Sequence, residues 1–182
     1  MRAVAGRALH SLAVCLRRGA QARDGARAGD TLWVTGTIGD AGAGLAIARA
    51  GHSDAALLAR YRRPVPRLAE GRALAPLVAA MMDVSDGLLI DAARMAAASG
   101  LAVTVALDTV PRSAAAHARG ISALDAATAG DDYELLFAAP AGWSPPVAAT
   151  RVGAFASGAG LSLTLGGAPV ALPAHLGYQH GA

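Results

Sequence analysis

Glycine and proline interrupt this chain so often that no long element fits between them. With 22 Gly and 9 Pro in 182 residues, every apolar stretch is short and ends on a residue that favours a turn, a helix stop or a positive φ. No run approaches the roughly 18 apolar residues that a membrane-spanning helix needs. The length suits one compact unit with a buried core. Thr31-Leu32-Trp33-Val34-Thr35-Gly36 is an unbroken β-branched and aromatic run, which predicts a short buried strand. The glycine-rich stretch from Gly39 to Gly44 then opens a helix through Leu45, Ile47 and Ala48 that Gly51 can close.

The pattern continues along the chain. Ser53 begins a second helix, stopped by Pro64 and Pro66, and helical spacing returns from Leu68 to Ala80 in spite of Pro76. Met81 to Val84 reads as the end of a buried strand, turned by Ser85-Asp86-Gly87 into a helix with Leu88, Leu89, Ala92, Met95 and Ala96 on one face. Leu101 to Leu107 predicts a strand. Pro111 to Ala127 predicts a helix broken at Gly120, and Tyr133 to Ala138 a further strand. Arg151–Phe155, Leu161–Leu165 and Pro169–Leu172 read as short closing strands between glycine turns. Strands alternating with helices and then hairpins imply an α/β chain with a mixed sheet.

Composition narrows the chemistry. At 54% apolar and 16% charged residues the chain has what a core requires, so charge-driven disorder is excluded. All 16 basic residues are arginine, which rules out lysine-dependent phosphate loops and Schiff-base mechanisms. Residues 1 to 30 hold six Arg against two Asp and the remainder is slightly acidic, so no basic stripe points to nucleic acid. One cysteine, Cys15, forbids an internal disulfide and fits a reducing, cytoplasmic setting. Residues 1–22 read as an extension or remnant ahead of a domain at 23–182: the Arg-rich start lacks a secretory cleavage site, and an Arg-rich transit peptide is the alternative.

Two constellations carry chemistry. Asp83 and Asp86 lie three apart where a strand gives way to a helix, and their carboxylates can converge on Mg2+, which takes oxygen ligands from one or two acids plus substrate phosphates. Alternatively, Asp86 caps the helix and Asp83 ends the strand. Ser85 can meet a phosphate oxygen or stabilise the turn, and Asp91 falls inside the helix as a solvated or supporting residue. Gly130-Asp131-Asp132 with Glu134 crowds three acids, which repel unless a cation is near; a solvated turn is the other reading. The Gly36–Gly44 run can cradle a phosphate on backbone N–H groups or simply turn. No GxSxG or HExxH motif occurs, and the five histidines lack metal-ligand spacing.

Asp83-Val84-Ser85-Asp86-Gly87-Leu88-Leu89 and Gly130-Asp131-Asp132-Tyr133-Glu134-Leu135-Leu136-Phe137 together resemble the signature of the bacterial thiamine-monophosphate kinase family. Supporting stretches are Arg23 to Asp30 running into Val34-Thr35-Gly36, Arg63 to Gly71, and Gly177-Tyr178-Gln179-His180. The resemblance implies a three-layer α/β/α domain with a mixed sheet, like the C-terminal domain of aminoimidazole ribonucleotide synthetase. It implies ATP-dependent phosphorylation of thiamine monophosphate to thiamine diphosphate, with Mg2+ on Asp83 and Asp86, ATP on Arg23 and Ser85, and thiamine monophosphate on Asp131 and Tyr178. The family usually has Gly-Glu-Asp where this chain has Gly130-Asp131-Asp132, one methylene longer. The resemblance further implies a homodimer at full length and an N-terminal ATP- and magnesium-binding domain with no counterpart in this sequence, so the chain is expected to be inactive alone. A non-catalytic interaction module and a nucleotide-binding regulator are the alternatives.

Overall fold

The structure is a computed structural model that describes residues 22–179. The expected extension at residues 1–22 therefore lies outside the described residues apart from Ala22, and so does His180. The first unit is strand β1 (Thr31–Thr35), then helices α1 (Asp40–Arg49), α2 (Ala55–Arg62) and α3 (Leu68–Leu74). Strand β2 (Ala80–Asp83), helix α4 (Leu88–Ser99) and strand β3 (Leu101–Ala106) follow. After two short helices, α5 (Ala114–Ala118) and α6 (Ala123–Thr128), come β4 (Leu135–Ala139), β5 (Ala149–Ser157), β6 (Gly160–Leu165) and β7 (Ala168–Val170). Among the described residues no helix is long and apolar enough to cross a membrane.

The strands form one seven-stranded sheet in the order β2-β4-β1-β5-β3-β6-β7. It is mixed, as the sequence implies: β3 and β6 pair in parallel and the other neighbours are antiparallel. The period-2 alternation of each strand sends its residues to two faces. Leu32 and Val34 of β1 and Leu136 and Ala138 of β4 meet Leu88, Leu89, Ala92, Met95 and Ala96 of α4 in the main core. Ala126 and Ala127 of α6 extend it. On the opposite face Trp33, Met81, Leu135 and Phe137 meet Leu74 of α3 and Trp143, the Phe137 and Trp143 rings standing edge-to-face with centroids 6.2 Å apart. Helices thus cover both faces, but the third layer reaches only the β2-β4-β1 end. Helices α1 and α2 cross at Gly44, where a side chain would collide with the Leu57 carbonyl and Tyr61 Cβ.

Two departures from the sequence expectations have a plain local reason. The helix expected from Leu68 to Ala80 stops at Leu74, because Pro76 lacks an N–H and its ring clashes with the preceding turn. The break expected at Gly120 is present: Gly120, at φ 69°, parts two helices capped by the Ser113 and Ser122 hydroxyls. The strand expected from Tyr133 begins at Leu135, since Tyr133 adopts φ 52°, outside the extended region.

Candidate functional site

Strand β2 delivers Asp83 to the edge of the main core, and the buried Val84 anchors the turn that follows. Three backbone hydrogen bonds fasten this turn to the acidic loop: Val84 N–H to the Glu134 carbonyl at 2.8 Å, Asp131 N–H to the Ser85 carbonyl at 2.8 Å, and Tyr133 N–H to the Val84 carbonyl at 2.9 Å. Gly130 permits the approach, for a Cβ there would stand 2.8 Å from the Ser85 oxygen. The C-terminal segment closes on the same place, with Tyr178 N–H donating to the Asp86 carbonyl at 2.8 Å and Gly177 too close to that carbonyl and Ile90 to carry a side chain. Asp83, Ser85, Asp86, Asp131 and Tyr178 are thereby gathered. Arg23 is not: it is exposed, two residues before Gly25, which abuts the Ala79 carbonyl. The nearby Ala26 N–H bonds Ser99 Oγ, so the backbone that follows Arg23 lies at the end of β2 and α4 remote from the turn.

The helix cap at the turn is Gly87, not Asp86, which disposes of the capping role for Asp86. That role falls instead to Asp91, which takes the supporting and not the solvated one of its two expected parts. Its carboxylate is fully buried; Oδ2 accepts from the N–H groups of Ser85 and Asp86 at 3.0 Å and of Gly87 at 3.3 Å. The sequence signal is an acid in the first helical turn that can reach back over the cap, a variation on the capping box. Arg94, one turn further on, donates through Nη1 to Asp91 Oδ1 at 2.8 Å and to Asp86 Oδ2 at 2.5 Å. Burial pushes the Asp91 carboxyl above its ordinary range, opposed by those N–H groups and Arg94.

The acidic loop separates its charges instead of pooling them. Asp132 is buried and accepts from Gly39 N–H at 2.7 Å and Ala41 N–H at 3.1 Å. The glycine run does cradle acceptor oxygens at a helix N-terminus, and they belong to the protein's own carboxyl. Glu134 is also buried, held by Arg60, Arg67 and Thr35. Only Asp131 faces solvent, at φ 67°, a left-handed conformation that costs a non-glycine residue of the order of 1 kcal/mol or more and collects at functional sites. Its Oδ1 accepts from the Tyr133 hydroxyl at 3.3 Å. Burial raises the Tyr133 phenol pKa, as do the charges of Asp131, Asp83 and Asp86, so three carboxylates share one negative field around this ring.

Whether Mg2+ suits the place turns on the donor set. Among the described residues no three acidic, histidine or cysteine side chains come close enough to hold an ion by themselves. Neither Asp83 nor Asp131 has an ion-pair partner among them. Two carboxylates in a negative field fit a Mg2+ ion completed by water and ligand phosphates, and fit poorly any metal wanting nitrogen or sulfur.

Residues 27–170 match the family described as AIR synthase related protein, C-terminal domain, and the chain belongs to that family. Within it, the chain resembles thiamine-monophosphate kinases. That of Caulobacter vibrioides is 39% identical over 178 residues, 87% of this chain and 50% of that protein. That of Salmonella typhimurium is 41% identical over 127 residues, 65% of this chain and 39% of that protein. The crystal structure of thiamine-monophosphate kinase from Stenotrophomonas maltophilia K279a superposes with a TM-score of 0.74 at 35% identity, over 85% of this chain and 55% of that one. The structure titled AaThiL complexed with AMPPCP and TMP gives 0.75 at 30% identity, over 87% and 54%. The chain spans about half the length of the curated relatives it matches.

Proposed function

We propose that the protein carrying this chain transfers the γ-phosphoryl group of ATP to the phosphate of thiamine monophosphate, giving thiamine diphosphate, and that residues 23–182 are its C-terminal domain. The observation that carries the reading is the convergence of the Asp83–Asp86 turn, the Asp131 loop and Tyr178 on one place, in a chain 39% identical to a thiamine-monophosphate kinase. Asp83 and Asp86 hold Mg2+, which when bound neutralises phosphate charge. Ser85, whose hydroxyl makes no protein hydrogen bond among the described residues, meets an ATP phosphate. Asp131, the loop's outward acid, takes the cationic thiamine moiety, with Tyr178, 61% exposed, beside it. Arg23 contacts ATP from a different part of the surface.

No covalent nucleophile is implied, so rate enhancement comes from positioning and charge neutralisation. The chain alone brings few charges to a γ-phosphate, and the reading expects it to fold without turning over; the whole protein is a cytoplasmic homodimer. The test is calorimetric titration of this chain with Mg·ATP and with thiamine monophosphate, beside Asp131→Ala and an assay of ADP release. Thiamine-phosphate binding that Asp131→Ala weakens several-fold, with no turnover, supports the assignment. Nucleotide binding indifferent to thiamine monophosphate favours a nucleotide-binding regulator, and robust turnover by the chain overturns the division of labour.

A further inference from the structure

The two acids of the turn are not equivalent. Asp83 ends its strand with no ion-pair partner among the described residues, whereas Asp86 is already neutralised by Arg94 Nη1. That guanidinium is not free to wander: the same nitrogen bonds Asp91, and Asp91 is fixed by three backbone N–H groups. Arg94 therefore stands on a rigid base, with a side chain 38% exposed and no protein hydrogen bond to its Nε or Nη2 among the described residues. A cation that is both anchored and hydrated on one side can neutralise a carboxylate permanently yet give it up at small cost. The pair is partly exposed, so its own contribution to stability is small. Its consequence falls on whatever else Asp86 binds.

We propose that Arg94 is the resident counter-ion of Asp86, so that a divalent cation at this turn engages Asp83 first and takes Asp86 only in competition with the guanidinium. The inference rests on the assignment of Asp83 and Asp86 to a metal. Arg94 touches neither metal nor substrate in this scheme; it acts through Asp86 as a positioning residue that sets the cation concentration at which the turn fills. To take Asp86 the cation must displace the guanidinium toward solvent, and the loss of that partly exposed pair opposes binding by about two- to fivefold.

The experiment titrates this chain with Mn2+ alone, following loss of the free-ion paramagnetic resonance signal, a readout independent of turnover. Arg94→Met keeps the apolar stem and removes the charge, and it is expected to tighten Mn2+ binding about two- to fivefold. Arg94→Lys keeps the charge and is expected to stay within about twofold of the parent. In an Asp86→Asn background Arg94→Met should gain less than half as much, because the contested ligand is gone. Unchanged or weaker binding in Arg94→Met overturns the proposal, as does an undiminished gain in the Asp86→Asn background; either result leaves the metal assignment standing. Mn2+ binding that is absent from the parent and every variant, with far-UV dichroism showing all of them folded, overturns both.

Discussion

Arg67 and Glu134 meet as a two-pronged pair, Nε donating to Oε2 at 2.6 Å and Nη2 to Oε1 at 2.7 Å. Arg60 Nη2 adds a third charged donor to Oε1 at 2.6 Å and Thr35 a hydroxyl to Oε2 at 2.7 Å. One buried carboxylate thus joins α2, α3, β1 and the acidic loop. Gly36 abuts it so closely that no side chain fits there.

Removing that charge leaves Arg67 only Glu70, at 3.3 Å, and Arg60 only Asp40, at 3.9 Å. Glu134→Gln should lower stability by about 3 kcal/mol, since breaking a buried pair leaves an uncompensated charge. Burial alone would raise the Glu134 pKa, but hydrogen bonds from Arg67, Thr35 and Arg60 outweigh it and hold the group below its ordinary 4.5. The native state therefore binds fewer protons than the unfolded chain, and this contribution, complete above about pH 4.5, disappears as pH falls through the lowered native value. Urea melts of the parent and Glu134→Gln between about pH 3 and 7 should converge at the acid end. A constant gap would show that the pair's charge is not what stabilises the loop.

Asp132 should act in the opposite sense. Burial, with the nearby charge of Asp40, pushes its carboxyl up to about 7 against the pull of the Gly39 and Ala41 N–H groups and Arg60. Here the native state holds a proton that the unfolded chain releases near its ordinary 3.8, so stability falls as pH rises from about 4 to about 7 and then levels. Asp132→Asn cannot titrate, and its amide can serve only one of the two N–H groups, costing about 1–2 kcal/mol at low pH. The gap between parent and variant should close and then reverse as pH rises toward about 7, because the titration outweighs the lost hydrogen bond. Parallel stability profiles would show that Asp132 stays ionised through this range.

Strand and helix order was legible in the sequence because glycine and proline mark the boundaries and the α4 face, Leu88 through Ala96, has plain helical spacing. The Asp83–Asp86 turn was legible too, since a strand-to-helix switch is a local event. What the sequence hides is which partner each acid finds. Asp132 and Gly39 are 93 residues apart and Arg67 and Glu134 are 67 apart, and nothing in either segment announces the other. A crowd of acids in sequence became three separate environments because each side chain points a different way out of one loop. Asp91 was readable in principle, because its bonds to the turn are local, yet an acid in a first helical turn is ordinarily solvated.

Asp91→Asn tests how far the turn depends on that one carboxylate. An amide oxygen can still accept from Ser85, Asp86 and Gly87 N–H, but its NH2 then faces Arg94 Nη1, donor against donor. The expected loss is about 1–3 kcal/mol, read as a lower midpoint in thermal dichroism. Faster amide hydrogen exchange at Ser85 and Asp86 should accompany it. An unchanged midpoint with unchanged exchange would mean that the turn is held from elsewhere, most directly by Val84 and the acidic loop.

Gly130 offers a way to part the turn from the loop. Its hypothetical Cβ lies 2.8 Å from the Ser85 carbonyl oxygen and 3.4 Å from Asp86 Cα, and both are backbone atoms that cannot swing aside. Gly130→Ala should therefore lengthen the Asp131 N–H bond to Ser85 and cost about 1–3 kcal/mol in strain, displacing Asp131 from Asp83 and Asp86 while the main core under α4 stays packed. Gly71→Ala is the matched control: its Cβ would meet only Leu135 Cδ1 at 3.5 Å, inside helix α3, where alanine is favoured by up to about 1 kcal/mol. Amide exchange at Asp131 and thiamine-monophosphate affinity should both change in Gly130→Ala and neither in Gly71→Ala. If Gly130→Ala keeps the Asp131 amide protected and the ligand bound as tightly as the parent, the contact between turn and loop is not what assembles the site.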